Sequence, residues 1–569
     1  MNKVEKLICL VLGLVLAWYF YNESTKAKKA AANAPVVEQV AAAEQKSAEA
    51  KPAETVEAPK LVETKSTAVK PSVPEKMVTL ENDDVKLELT TWGAAVKKVT
   101  LKKYAKACGE VSKDNPAVEM DFSESPLGSD GAVVAYEVVS QDGVSAVFVN
   151  GSAKRKIALG ADYRITFEDE GMAGSLSLGS MRMGDSKNDL LSVDSKAIDA
   201  GKGKPKVIHH DDDDSPLKAY LAGGISGGCS GSKSAAGMPD RVTVEYPGAQ
   251  SWVAVKNRFF VTALVSCTGG NSGFSATIAR DTASSNYKPE SVTAVVNFKG
   301  DYAKRDSVFY VGPKKQALLW DLGMKDVMEF GMWRWLCYPL VWVLNLFNGW
   351  IPNFGIAIIL LTILVRIVFW PLTHKSTVGM KRMQELQPKM KEIQAKFKDN
   401  PQRLQQETWA MYREAKVNPM SSCLPMLIQI PVFIALFNVL RSAVELRYAP
   451  FLWIADLSEP EALFASWFPF GGLNILPILM AVSTALQSAF TPSTGDKSQQ
   501  KMMMIFMPAM MLVMFYSFPS ALSLYWFLSN LFSIVQMWVI RRQSTAKRGN
   551  AIVPEVIDPP QTRQMRRHV

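Results

Sequence analysis

The sequence predicts a polytopic α-helical membrane protein, an N-terminal anchor plus a five-helix core, that carries an all-β sandwich on the external side. Three observations predict it. Apolar runs close to the roughly twenty residues needed to cross a bilayer recur at about 350–372, 420–441, 473–490, 502–518 and 521–541. Between residues 76 and 320 the chain instead breaks into short alternating segments separated by turn residues, as in a sandwich. Basic residues collect in the loops beside the apolar runs, as the positive-inside rule requires. Membrane topology therefore explains the net charge of +10 better than nucleic-acid binding does. The mean hydropathy of +0.02 averages a polar first half and a strongly apolar second half.

Residues 1–21 contain LICLVLGLVLAWYFY, a short apolar run after a brief basic start. A cleaved signal peptide is the rival to an anchor, but the run ends in Trp18, Tyr19, Phe20 and Tyr21, an interfacial belt rather than a small-residue exit. Residues 22–75 are Ala, Lys, Glu and Pro with few large apolar side chains, and are expected to be a disordered linker. The sandwich follows. Residues 331–347, GMWRWLCYPLVWVLNLF, are aromatic and amphipathic, and are expected to lie along the membrane surface. Cys108, Cys229 and Cys267 fall in the external domain, an odd number that permits at most one disulfide among them.

The core occupies residues 350–541. Its first run, FGIAIILLTILVRIVFWPL, holds one charge, Arg366. An arginine inside a spanning helix costs about 2.5–3.5 kcal/mol on insertion scales. Snorkelling to the nearer headgroups would explain it; so would a wet cavity inside the protein. Thr362 lies one turn earlier on the same face, which favours a polar stripe. Residues 375–416 then form a charged helical hairpin, broken at Asp399-Asn400-Pro401, in which bases outnumber acids. Lys389, Lys391, Lys396 and Arg403 on the hairpin, with Arg541 and Arg542 opening the basic tail of residues 542–569, are candidate docking charges on the cytoplasmic side. On the last helix Tyr525, Ser529, Ser533 and Gln536 fall near one face with Asn530 beside them; Gln429 and the group Ser483, Thr484, Gln487 and Ser488 add polar positions on two other helices. Such groups are either hydrogen-bond glue between helices or, with Arg366, the lining of one wet cavity. Seven methionines crowd residues 502–514, among them Met503, Met507, Met510 and Met511. They suit ordinary lipid packing or an adaptable surface for varied apolar segments.

No phosphate loop or metal-ligand spacing appears; GGCSGSK has Ser232 where a glycine is required before the lysine. No cofactor, metal or catalytic group is expected. The densest titratable stretch is VIHHDDDD, which reads as an exposed acidic loop, with weak cation binding as the alternative.

In order along the chain, LTILVRIVFWPLTHKS, VNPMSSCLPMLIQIPVFIALF, VELRYAPFLWIADLS, NILPILM, QQKMMMIFMPAMM and FPSALSLYWFLSNLFSIVQ resemble the YidC family of membrane protein insertases (the YidC/Oxa/Alb group). WVAVKNRFF and YVGPK fit the large periplasmic domain of its Gram-negative members. The resemblance implies an energy-independent insertase and chaperone of the bacterial inner membrane, with both termini cytoplasmic. It implies a hydrophilic groove in which Arg366 is the groove arginine and Thr362 its neighbour. It implies nascent membrane proteins as clients, and as partners the Sec translocon, the ribosome, the signal-recognition targeting machinery and the lipid bilayer. One departure is Tyr525-Trp526, where the family commonly has two tyrosines; indole can contact a client but loses the phenol acceptor. The alternative class is a channel or transporter with a periplasmic sugar-binding domain. Such transporters usually show inverted repeats, and none is visible.

Overall fold

The computed structural model describes residues 61–62, 73–106, 111–112, 114–129, 134–172, 174–182, 191–197, 207–209, 241–268, 271–280, 289–298, 304–415, 417, 424–464, 472–491 and 497–549. The N-terminal anchor, His210 and Asp211 to Asp214, Cys108, Cys229, the Met503 and Arg541 side chains and residues 550–569 lie outside them. The chain divides into two compact units. One holds everything to Gly355 together with Val432–Glu459, and the other holds Ile356–Pro431 and the chain from Pro460 on.

The first unit is built on three antiparallel sheets. A nine-stranded sheet runs in the order Val207–His209, Ser192–Ala197, Gln250–Lys256, Phe260–Cys267, Lys304–Pro313, Arg164–Glu170, Ala153–Leu159, Ser145–Asn150 and Glu137–Gln141. A five-stranded sheet, ordered Leu61–Val62, Arg241–Pro247, Asn271–Arg280, Pro289–Phe298 and Leu176–Arg182, packs over its Gln250–Lys256 end. Met77–Glu81, Val85–Thr90, Ala95–Ala105 and Ala117–Asp121 form the third sheet. Alternation does the sorting: Val85, Leu87 and Leu89 turn inward while Lys86 and Glu88 between them stay partly exposed. Strand Gln250–Lys256 has sheet neighbours on both sides and the five-stranded sheet across it, so six of its seven residues are buried. The linker was expected to be structureless as far as residue 75. Instead, Leu61–Val62 adds an antiparallel edge strand, with Leu61 opposite Val244 and Val62 opposite Thr243. An apolar pair in an otherwise polar stretch, one member β-branched, is what an open sheet edge can recruit.

Three charges lie side by side within the nine-stranded sheet. Arg155, Asp169 and Arg305 are directly opposite one another on adjacent strands, and each is at most 1% exposed. Asp169 accepts from Arg155 Nε at 2.6 Å and Nη2 at 3.0 Å, and from Arg305 Nη2 at 2.9 Å. Arg155 Nη1 continues to the carbonyls of Gly128, Ala94 and Gly93 at 2.8–3.2 Å, tying the loops beside the four-stranded sheet to this one. Helix α1 (Gln316–Asp321) and a short 3-10 turn at Lys325–Met328 lead to α2 (Arg334–Trp350). Cys337, Leu340, Val341 and Leu344 of α2 form its buried stripe, while Trp335 and Trp342 are exposed one above the other on the opposite face.

The second unit is helical. Helix α3 (Phe354–Glu385) bends by 61° between Trp370 and Leu372, at Pro371. It continues well past the expected end of the span. Helix α4 (Gln387–Lys396) and α5 (Pro401–Glu414) follow, the latter capped by Asn400, whose side chain accepts from the Arg403 N–H at 3.1 Å. Helix α6 (Leu424–Ser442) passes from this unit into the first. Helices α7 (Ile475–Phe490), α8 (Lys497–Phe515) and α9 (Ser520–Gly549) complete it. Among the described residues, Ser520–Ile540 is the one helix long and apolar enough to cross a bilayer, and Phe354–Trp370 and Leu372–Glu385 pass that test only when the bent pair is taken together. Gln429–Ser442, Ile475–Phe490 and Met504–Phe515 are shorter apolar helices.

The charge trio gives a stability prediction. Burial opposes ionisation of Asp169, but the Arg155 and Arg305 guanidiniums outweigh it and hold the carboxyl below its usual range. Its contribution is therefore full above the unfolded value of about 4 and is lost as pH falls through the lower folded value. Asp169→Asn leaves two buried guanidiniums without a counter-charge. It should destabilise the sandwich by about 3–5 kcal/mol and should flatten the acid limb of stability against pH. Urea titration of the full chain in detergent, read by pulse proteolysis of the external domain from pH 3 to 7, measures both.

Candidate functional site

Polar side chains of the apolar helices meet on α9. From α3, Arg366 sends Nη2 to the backbone carbonyl of Ser529 at 2.7 Å. That carbonyl also accepts from Ser533 Oγ at 3.0 Å. One turn earlier on α9, the buried Tyr525 hydroxyl accepts from Gln429 Nε2 of α6 at 2.9 Å. Arg366 is partly exposed, and among the described residues no carboxylate pairs with it. One of its five N–H donors is used in a hydrogen bond to the described chain. Two turns further along both helices, Gln536 Nε2 donates to Thr373 Oγ1 at 2.9 Å. The two contacts advance together, so α3 and α9 run parallel and their C-terminal ends lie on one side.

Other candidates divide from this group. Asn530 is buried and donates to Ser483 Oγ at 3.0 Å and Thr484 Oγ1 at 2.8 Å, both on α7. Those hydroxyls in turn donate to the Met480 carbonyl. This is interhelical glue. Thr491, the C-cap just after α7, reaches Met537 Sδ further along α9, so α7 also runs parallel to α9. Thr362 shares a helix face with Arg366, but it is buried and its hydroxyl bonds the Ile358 carbonyl of its own helix at 2.7 Å. Trp526 tilts against Phe515 of α8, with ring centroids 5.5 Å apart.

On α8, Met507 and Met510 are exposed together with Met504 and Met514. Met511 is only 7% exposed. It lies on the opposite face with Phe515 one turn on, so it falls outside any outward apolar surface. Lys389, Lys391, Lys396 and Arg403 are all exposed on α4 and α5. The Arg542 guanidinium stacks 3.8 Å from the Trp538 ring centroid at the far end of α9.

Of the charged groups of the sandwich the sequence singled out only His209, within VIHHDDDD; Asp194, Lys256 and Glu329 were not marked. Asp194, His209 and Glu329 bring ligand-type atoms within 4.8 Å of one another, a spacing that could hold a metal. The buried Lys256 ammonium, however, bonds the carboxylates of both Asp194 and Glu329. It supplies the positive charge a cation would bring, so the quartet is an ion network. The hydrogen bond to Asp194 holds the His209 imidazole above its usual pKa. In the sequence the signal was a lysine and an arginine inside the apolar run WVAVKNRFFVTALV. Cys267 is a free thiol beside Ser307.

Comparison with known proteins places these features. Residues 346–547 match the family model described as 60Kd inner membrane protein, and residues 232–343 match the YidC periplasmic domain. A protein named membrane protein insertase YidC from Syntrophobacter fumaroxidans is 41% identical over 300 residues, 52% of this chain and 54% of that one. The chain thus spans about half the length of that relative in the match. One of the same name from Chlorobaculum parvum is 32% identical over 498 residues, 81% of each chain. A solved structure titled "Active YidC insertase crystal structure with the first transmembrane domain resolved" aligns with 83% of this chain and 94% of its own, at 18% identity and a TM-score of 0.35. The identity to the Chlorobaculum protein, sustained over four-fifths of both sequences, means that the chain belongs to the YidC membrane protein insertase family.

Proposed function

We propose that the chain is an insertase and folding chaperone for nascent integral membrane proteins of the bacterial inner membrane, working without nucleotide and without a catalytic residue. The observation that carries the reading is Arg366: a guanidinium on an apolar helix, tethered by one hydrogen bond to the Ser529 carbonyl, partly exposed and without a described counter-ion. The polar flank of a client helix enters beside it. Arg366, Gln429 and Ser533, which are partly exposed, replace some of the water that the flank gives up, with the buried Tyr525 holding Gln429 from behind. The apolar part of the client leaves against the outward face of α8, where Met507 and Met510 adapt to varied side chains. The membrane potential assists an acidic flank outward by about 2.3 kcal/mol per charge per 100 mV.

The parallel course of α3, α7 and α9 supports a topology with the hairpin and the C-terminus on one side, and their basic charge makes that side cytoplasmic. The sandwich is then periplasmic and the N-terminus cytoplasmic. Trp335 and Trp342 on α2 suit a helix lying in the outer interface. Partners of this arrangement are the Sec translocon, the ribosome and the signal-recognition targeting machinery.

Two outcomes are expected. Arg366→Ala should slow insertion in proportion to the acidic charge on the translocated flank and spare neutral flanks, while Arg366→Lys, which keeps the charge but loses the fork of donors, should be mild. Liposome insertion of one model helix carrying zero to several flanking aspartates measures this; equal fractional loss across the series would overturn the charge mechanism. Second, neutralising Lys389, Lys391, Lys396 and Arg403 should weaken binding to translating ribosomes and lower its salt dependence by about one counter-ion for each phosphate no longer neutralised. Ribosome cosedimentation with proteoliposomes at several salt concentrations reads the slope, and an unchanged slope would assign these charges to topology alone.

A further inference from the structure

We infer that Thr373 and Gln536 are positioning residues for Arg366: their hydrogen bond holds α3 against α9 below the bend in α3, so that the guanidinium is free to leave the Ser529 carbonyl for an acidic client flank. The inference rests on the insertase reading above and deepens it.

Arg366 and Thr373 lie on opposite sides of a hinge. Pro371 has no N–H, so the Ile367 carbonyl loses its intrahelical donor. There α3 turns by 61° between Trp370 and Leu372. With a rung missing, the helix itself does not lock the segment that carries Arg366 to the one that carries Thr373. The partner helix has no such break: α9 runs from Ser520 to Gly549 without a proline. It meets α3 above the bend, where Arg366 Nη2 donates to the Ser529 carbonyl at 2.7 Å. It meets α3 again below the bend, where Gln536 Nε2 donates to Thr373 Oγ1 at 2.9 Å. At a rise of about 1.5 Å per residue the two contacts are about 10 Å apart along α9. The straight helix is thus a splint across the hinge of the bent one.

The lower contact belongs to the bend. Thr373 Oγ1 lies 3.0 Å from the Phe369 carbonyl and 3.1 Å from that of Trp370, so its proton is used on its own helix beside the hinge. A hydroxyl bonded back in this way favours a bent helix. What remains on the oxygen is acceptor capacity, and Gln536 supplies the donor from a side chain only 5% exposed. The amide therefore fixes the hydroxyl rotor as well as the distance between the helices.

A client carboxylate and the Ser529 carbonyl compete for the same guanidinium. The bond between two charged groups is the stronger, so an acidic flank draws Arg366 away. The carbonyl it leaves keeps a second side-chain donor, since Ser533 Oγ already reaches it at 3.0 Å. The upper contact between α3 and α9 is then given up while the client is bound. The lower contact joins two neutral groups that a client charge does not attract, and it keeps the two helices in register. Without it, leaving Ser529 also loosens the hinge, and the guanidinium is held back as a tether.

The test uses the full chain in liposomes with Thr373→Val, Thr373→Ser, Gln536→Ala and the double variant Thr373→Val with Gln536→Ala. Each receives one model helix carrying zero to several aspartates on the translocated flank. Hydrogen exchange is followed at residues 372–377, with residues 477–484 of α7 as the internal reference. Thr373→Val keeps the shape and removes the hydroxyl. It should raise exchange at residues 372–377 by about threefold or more, the factor for one lost neutral hydrogen bond. Insertion of the multiply acidic client should slow by a similar factor, and the neutral client should keep its wild-type rate. Thr373→Ser should stay near wild type in both readings. The double variant should be no slower than the slower single one, because each change removes the same interaction. Equal slowing of acidic and neutral clients would reduce the contact to packing between helices and overturn the positioning role, as would an unchanged acidic client. Unchanged exchange at residues 372–377 overturns the splint. If Thr373→Val also loosens the reference helix, Gln536→Asn, whose amide is one methylene short of the hydroxyl, decides by the same readings. If Arg366→Ala slows every client equally, the charge reading of Arg366 fails, while the exchange comparison still judges the splint.

Discussion

A guanidinium among apolar helices must find oxygen, because hydrocarbon offers it neither water nor counter-ion. Arg366 finds the Ser529 carbonyl. That one bond fixes much else. It sets α9 beside α3, and the Gln536–Thr373 contact two turns on makes the two helices parallel. Asn530, pointing away from Arg366, then has α7 to satisfy it, through the paired hydroxyls of Ser483 and Thr484. Tyr525, Asn530 and Gln536 of α9 thus each select a neighbouring helix, in an environment where apolar packing alone would discriminate little between helix faces.

The external unit solves a related problem with the same kind of side chain. Arg155, Arg305, Lys256 and Arg258 are all buried cations, and each is matched by a carboxylate with further carbonyls as acceptors. Such networks add little net stability over an apolar core, since desolvation offsets the attraction. What they add is geometry. Asp169 serves two arginines on flanking strands and so fixes their register. Arg258 serves two backbone carbonyls and a carboxylate beyond the sheets and so fixes where the next segment lies.

Much of this plan could be read in the chain. Alternation located strands such as Val85–Thr90, and the Asn400-Pro401 pair located the start of α5, because each depends on residues close in sequence; run length marked where α3 begins but not where it ends, at Glu385. Arg366 and the polar positions of α9 were legible because polarity inside an apolar run has few explanations. Which of those positions face Arg366 was not legible: Thr362 shares its face by spacing, yet its hydroxyl is used by its own helix. Nor was the inward turn of Met511, since a run of methionines carries no periodic contrast. The Arg258 contacts join residues some two hundred positions apart. No local pattern encodes such a pairing; only the arginine's place in an apolar strand run marked it as unusual.

Helix α8 is held differently from its neighbours. Over residues 504–515 its buried positions are Pro508, Met511 and Phe515, one narrow stripe, and Ile505, Phe506, Met507, Met510, Val513 and Met514 are exposed. Beside it, α7 is pinned by Asn530 in mid-helix and by Glu461, whose carboxylate accepts from the Ile475 and Leu476 N–H groups at 3.0 and 2.6 Å. α8 has no comparable polar attachment among the described side chains of its apolar stretch; the bond from Asn474 to the Tyr516 carbonyl sits just beyond its end. Pro508 also removes one rung of its hydrogen-bond ladder. A helix held by one apolar stripe, tethered at one end and missing a rung can shift against its neighbours at small cost. Its exposed methionines, which have no branched rotamer to fix them, can follow whatever apolar surface lies alongside.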